Sequence, residues 1–190
     1  MLTYLPGEVP AKWRQFPDDQ VSAAARIVRD LHDRTTHSTL TAASSVVCHN
    51  DLGPNNFVFR NGSPIALIDY DMAAPGERLE DLGYMAWAWC LSSKATRGSV
   101  RSQAQQVLVL ADAYGLSAAE RGLLPDAIIK RQRRNTQFWR AYLTQQTEPA
   151  ISTPEHVRDV IAWSNTEMSH TIVHRDVLLA TLKPLSRAKR

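Results

Sequence analysis

Residues 49 to 71 read HNDLGPNNFVFRNGSPIALIDYD, which sets His49, Asp51 and Asn56 on one short loop and Asp69 at the end of the next apolar run. That spacing points to phosphoryl transfer. Moving a phosphoryl group onto a hydroxyl asks little covalent work of a protein, but it needs an oriented acceptor and neutralised phosphate charge. Asp51 offers a carboxylate to accept or orient the acceptor proton, while Asn56 and Asp69 offer the hard oxygen ligands that Mg²⁺ prefers. Val46 and Val47 before the loop and Phe57 to Phe59 after it read as short strands. A third strand, Ile65 to Ile68, follows the Asn61-Gly62 turn and returns Asp69 toward the loop, so one hairpin brings both metal ligands together.

The pattern H-x-D-x-x-x-x-N, followed by a strand ending I-D-x-D, resembles the aminoglycoside phosphotransferase and choline kinase group within the protein-kinase-like fold. Its five fixed positions across two strands rarely coincide by chance. The likeness extends outward: MLTYLPGE (1–8) resembles the hinge between the two lobes of that fold, and RDLHD (29–33) the helix end between hinge and catalytic loop. AAPGERLEDLGYMAWAW and ADAYGLSAAER resemble the helical part of bacterial members. The resemblance implies an α+β, mostly helical chain forming the C-terminal lobe of the aminoglycoside phosphotransferase fold, with a small β-hairpin carrying the catalytic loop. It also implies Asp51 as the catalytic aspartate, Asn56 and Asp69 as Mg²⁺ ligands, His49 as a loop-bracing residue, and ATP or GTP as donor. Hinge backbone at Thr3 and Leu5 would meet the nucleotide. Asp71, two residues beyond Asp69, would share its face if the strand continued, and is given a supporting role behind the metal. Asn50 stands where protein kinases carry the arginine of H-R-D, so a small-molecule hydroxyl acceptor fits better than a protein.

Enzymes of this fold grip the nucleotide between lobes, using a phosphate-covering loop and a lysine from a small amino-terminal sheet. No Gly-rich loop precedes Thr3, no lysine precedes Lys12, and neither G-x-G-x-x-G nor G-x-x-x-x-G-K-[ST] occurs anywhere. The chain therefore reads as the large lobe alone, one domain over 1–190 with a hinge-like segment at 1–8, the catalytic hairpin at 46–71 and a helical block at 79–182.

Period and punctuation place the helices. Val21, Ala25, Val28, Leu31 and His32 line one face of a helix from Asp18 to Thr35, and Leu82, Met85, Ala86 and Trp89 one face of Leu79 to Leu91. Val100 to Tyr114 stops at Gly115, and Ser117 with Glu120 forms a capping box. Pro125 is read as opening a further helix and Thr153-Pro154 as opening the last, which carries Val157, Val160, Ile161, Met168 and Ile172. Asp81 is read as capping or bracing the helix near Leu79.

A hydrophobic fraction of 44% with 22% charged residues places the chain among globular proteins, and no apolar run is long enough for a membrane span. The opening MLTYLPGEVP lacks the basic start and apolar stretch of a signal peptide, and Cys48 and Cys90 both sit where buried free thiols are ordinary, so a cytoplasmic location is expected. The net charge of +3 and the run KRQRR (130–134) invite a nucleic-acid reading. A solvated face opposite Ile128, Ile129 and Phe138 accounts for that run without a nucleic-acid partner. His170 and His174 stand one helical turn apart, but no Cys or acidic residue is placed with them as a third zinc ligand. The helical block is not conspicuously acidic, and Trp87, Trp89, Trp139 and Trp163 are read as core before stacking walls. Three functions follow: a phosphotransferase large lobe, a non-catalytic nucleotide or Mg²⁺ binding module or truncated inactive fragment, and a lobe completed by a partner chain. Hinge residues Leu2, Tyr4 and Leu5 would be exposed without a small lobe, which favours a homodimer over that patch.

Overall fold

The structure, a computed structural model, describes residues 4–12, 14–145 and 152–183. Helix α1 (Asp18–Thr35) comes first, then strands β1 (Val46–Cys48), β2 (Phe57–Arg60), β3 (Ser63–Leu67) and β4 (Ala74–Gly76). Five helices follow: α2 (Arg78–Cys90), α3 (Val100–Tyr114), α4 (Ala118–Gln145), α5 (Pro154–Val173) and α6 (Arg175–Leu182). The chain is α+β and mostly helical. No described helix is long and apolar enough to cross a membrane. Thr3, Glu148 and the basic tail lie outside the described residues.

Helix α1 spans the expected residues because its signals agree. Asp18 and Asp19 complement the dipole in the first turn, Arg34 does so in the last, and Val21, Ala24, Ala25 and Val28 recur on one buried face. α1 packs on α3, whose ends are set by the Ser99 side chain capping Ser102 N–H and by left-handed Gly115. β2 and β3 form the expected hairpin about Asn61-Gly62, both with positive φ, as a tight two-residue turn requires. A register shift between Val58 and Phe59 bends it. β1 pairs instead with β4, from Val46 opposite Gly76 to Cys48 opposite Ala74. This pairing was not legible in APG, three residues with no strand-forming side chain.

Two helical readings are corrected. Pro125 lies inside α4, which already starts at the Ser117–Glu120 capping box. The lost Pro N–H removes one backbone bond, but Leu124, Pro125 and Ile128 are all buried and carry the helix through. The last helix is not one element: the chain breaks at His174, and α6 buries Leu178 and Leu182 against α3. The inward face of α5 is largely polar. Of its apolar set only Val157 is fully buried and Ile172 is 48% exposed, whereas Ser164, Glu167 and Thr171 are buried. α5 meets α4 through hydrogen bonds, Gln132 Nε2 to Thr171 Oγ1 at 2.9 Å and Asn135 Nδ2 to Ser164 Oγ at 2.8 Å. A satisfied polar seam can be buried as readily as an apolar one.

α2 is buried nearly all round, with Leu82, Met85, Ala86 and Trp89 inside as expected and Tyr84 and Trp87 inside as well. Its approach to α4 depends on Gly83, where a Cβ would stand 2.7 Å from the Ala127 carbonyl oxygen and 3.1 Å from the Ile128 nitrogen. Backbone cannot retreat as a side chain can. Gly83→Ala is expected to cost about 1–3 kcal/mol by forcing the helices apart, read as a lowered urea midpoint; an unchanged midpoint would show that the contact is soft.

Candidate active site

The hairpin and α2 hold the 49–56 loop from two sides. His49 is buried; its Nε2 donates to the Ile68 carbonyl at 3.0 Å and its Nδ1 accepts the Asp51 N–H at 3.3 Å. That pattern assigns the neutral Nε2-protonated tautomer. His49 therefore links the loop to the strand end that carries Asp69. The Ile68 N–H donates to the Asn56 carbonyl at 2.9 Å, which sets Asp69 beside Asn56. Asn56 is 3% exposed, and its Nδ2 donates both to the Asp51 carbonyl (2.8 Å) and to Asp51 Oδ2 (2.9 Å). Asn56 Oδ1 accepts from Asn55 Nδ2 at 3.0 Å. The structure thus brings His49, Asp51, Asn56 and Asp69 together.

Asn50 and Asp69 both adopt left-handed backbone, with φ of 64° and 65°. Asn and Asp enter that region more readily than other side chains, but the conformation still costs free energy and survives only where surrounding contacts impose it. At Asn50 the contacts are explicit: its N–H is bound by Asp81, its side chain donates to the Met72 carbonyl at 3.1 Å, and its carbonyl accepts from Arg131 Nη2 at 2.6 Å. At Asp69 the turn ends the strand. Asp71 lies beyond it in an exposed turn, so it does not continue the strand face with Asp69 as expected.

Asp81 does not cap α2. Its Oδ2 accepts the His49 N–H and its Oδ1 the Asn50 N–H, each at 2.7 Å, and Oδ2 also meets His32 Nε2 at 3.0 Å. The network runs on through His32 Nδ1 to the Tyr114 hydroxyl (2.8 Å), which accepts from Arg78 Nη1 at 3.0 Å. Burial pushes the Tyr114 phenol up to about 12, with Arg78 opposing. A carboxylate in the middle of LEDLGYMAWAW had to be paired in this way, because an unpaired buried charge is prohibitively costly. That was the available signal. His32, Cys48 and Asp81 are the one three-ligand cluster among the described residues, and all three side chains are already engaged, Cys48 Sγ with the Glu77 carbonyl at 3.3 Å. Burial, with Asp81 adding to it, pushes the Cys48 thiol up to about 12, so it stays an unreactive thiol at neutral pH.

Two residues in the site were missed by sequence reasoning. Tyr84 lies 6% exposed with its hydroxyl beside the Asp51 carboxylate; burial first, and that carboxylate second, raise the phenol pKa well above the ordinary value. Arg131 lays its guanidinium over the Tyr84 ring, 4.5 Å from the centroid. KRQRR is therefore not wholly a solvated face, and its expected apolar partner Phe138 is 48% exposed. Below the loop, Trp89 Nε1 donates to the Leu52 carbonyl at 2.9 Å while its ring packs on Phe16, Phe57 and Phe59, so this tryptophan is core. Trp87 is buried against Trp163, the rings stacked at 4.9 Å. His170 and His174 have ring centroids 4.6 Å apart. Leu5 is 40% exposed near the bridge that pairs Glu8 with Phe59; Thr3 lies outside the described residues.

The family model described as the phosphotransferase enzyme family matches residues 3–125, a span that holds the whole hairpin and α2. A curated relative, the trifolitoxin immunity protein of Rhizobium leguminosarum bv. trifolii, is 29% identical over 208 aligned residues, covering 95% of this chain and 76% of the relative. With about two thirds of its length matched around the loop and strand end just described, the chain belongs to the phosphotransferase enzyme family.

Proposed function

We propose that the chain serves transfer of the γ-phosphoryl group of ATP to a hydroxyl of a small molecule, with Asp51 taking the hydroxyl proton. The observation that carries this reading is the coupling of Asp51 to Asn56 and of Asn56 to the strand end bearing Asp69. The acceptor oxygen forms the new bond to the γ-phosphorus, the bond to the β-phosphate oxygen breaks to leave ADP, and the hydroxyl proton passes to the Asp51 carboxylate. The Asn56 amide holds that carboxylate toward the acceptor. His49 and Asp81 keep the loop in shape, and neither is placed against the reacting atoms.

The donor set fits magnesium. Asp69 is exposed and, among the described residues, its carboxylate has no hydrogen bond or ion pair, although its backbone is held in a left-handed turn beside Asn56. An exposed carboxylate on a constrained backbone, one residue after the Ile68 N–H that binds the Asn56 carbonyl, supplies with the Asn56 amide oxygen the hard oxygens that Mg²⁺ takes alongside phosphate oxygens. Mg²⁺ held there by Asp69 and Asn56 would neutralise phosphate charge. Asp69→Asn is expected to weaken Mg²⁺-dependent ATP binding about tenfold or more by removing the anionic ligand, measured by titrating nucleotide with and without Mg²⁺. Binding that is unchanged in the variant, or absent in the parent chain at millimolar nucleotide, would overturn the metal assignment. The fold so read is the large lobe of a protein-kinase-like enzyme. The likeness to an immunity protein supports a protective role, in which the phosphorylated hydroxyl belongs to a toxic compound.

A further inference from the structure

Arg131 is the unusual charge in this site. Its guanidinium is largely removed from water, stacked on Tyr84, and spends one Nη2 proton on the Asn50 carbonyl. Its buried Nε–H has no hydrogen-bond partner, and among the described residues no carboxylate oxygen lies within 4.0 Å of it. A buried cation is ordinarily paired, and arginine is the side chain best shaped to receive a carboxylate or phosphate. The groups that could pair with it are committed elsewhere. Glu80, on the α2 turn facing the basic run, is taken by Lys130 at 3.0 Å and Arg134 at 3.9 Å. Asp81 has both oxygens on loop N–H groups. Asp51 and Asp69 face the acceptor proton and the metal in the reading above. Burial holds the Arg131 pKa below the ordinary arginine value, with the Asp81 and Asp51 carboxylates opposing from beyond ion-pair distance.

We infer that the acceptor carries a negatively charged group beside its reactive hydroxyl, and that Arg131 receives it. This rests on the phosphotransferase reading for the word acceptor, but the charge preference belongs to the site and does not need turnover. A polycationic hydroxyl compound would bring its amines against an arginine that no carboxylate pairs directly. A hydroxy acid would instead complete the ion pair that the fold leaves open, its hydroxyl falling toward Asp51 through the Tyr84 contact.

The test uses three sugars of one size that differ in charge: glucuronate, glucose and glucosamine. Each is titrated onto the intact chain at low salt, with binding followed by saturation-transfer NMR. Glucuronate is expected to bind about tenfold tighter than glucosamine, with glucose between them, and the gap should narrow as salt rises. Arg131→Gln is expected to abolish the preference for glucuronate over glucosamine, Arg131→Lys to keep most of it, and exposed Arg133→Gln, outside the site, to keep all of it. Glucosamine binding as tightly as glucuronate, a preference that survives in Arg131→Gln, or no sugar binding at about 50 mM, where even millimolar affinity saturates a site, would overturn the inference. Mg²⁺-dependent ATP binding, measured on the same samples, reports separately on the phosphotransferase reading.

Discussion

Asp51→Asn is expected to lower phosphoryl transfer by about 10²–10⁴-fold while leaving Mg²⁺-dependent nucleotide binding nearly intact. The change is close to isosteric. The new amide oxygen can still accept from Asn56 Nδ2, which stands 2.9 Å from Asp51 Oδ2, so the loop keeps its shape. What is lost is the carboxylate proposed to take the acceptor proton. Single-turnover ADP formation checks the first half and nucleotide titration the second. Equal loss of nucleotide binding in Asp51→Asn and Asp69→Asn would mean that the two carboxylates do not divide the work between proton and metal.

Asp81→Ala is expected to be the most damaging change away from the proposed reacting atoms. It strands the backbone N–H groups of His49 and Asn50 and the Nε2 of His32, all around a fully buried position. Each abandoned buried donor costs about 1–3 kcal/mol, and breaking a buried charged network at one member typically costs about 3–5 kcal/mol in total. Equilibrium unfolding in urea measures this directly. Asp81→Asn, which keeps one acceptor, is expected to lose less. An alanine variant within about 1 kcal/mol of the parent would show that the network contributes little to stability. Because Asp81 also imposes the left-handed turn at Asn50, the alanine variant should lose transfer even at temperatures where it remains folded.

Much of the architecture was legible from short-range signals. The extent of α1 was readable from its helical apolar spacing, the end of α3 from Gly115, and the β2–β3 hairpin from Asn-Gly between two apolar runs. These signals act over a few residues, through dihedral preference and local hydrogen bonds. They fail where a local rule is overridden. Pro125 looked like a helix start because proline usually is one, yet buried neighbours carry α4 through it. α5 carries valines and isoleucines, yet a hydrogen-bonded seam with α4 turned Ser164, Glu167 and Thr171 inward.

The candidate site divides along the same line. The loop residues His49, Asp51 and Asn56 and the strand end at Asp69 were readable as a chemical set, because a hairpin must return its far end beside its beginning. The partners of that set were not readable. Asp81 reaches His49 across 32 residues of sequence, and Arg131 reaches Asn50 across 81. Spacing carries no information about such pairs. Which charge is desolvated, and what it then needs as a partner, depends on the close approach of α2 and α4 at Gly83. Local sequence thus specified the candidate groups and their turn, and packing between distant helices specified the charge that surrounds them. Hydrogen-bond geometry is set over a few residues, whereas burial is set by whatever the chain folds against.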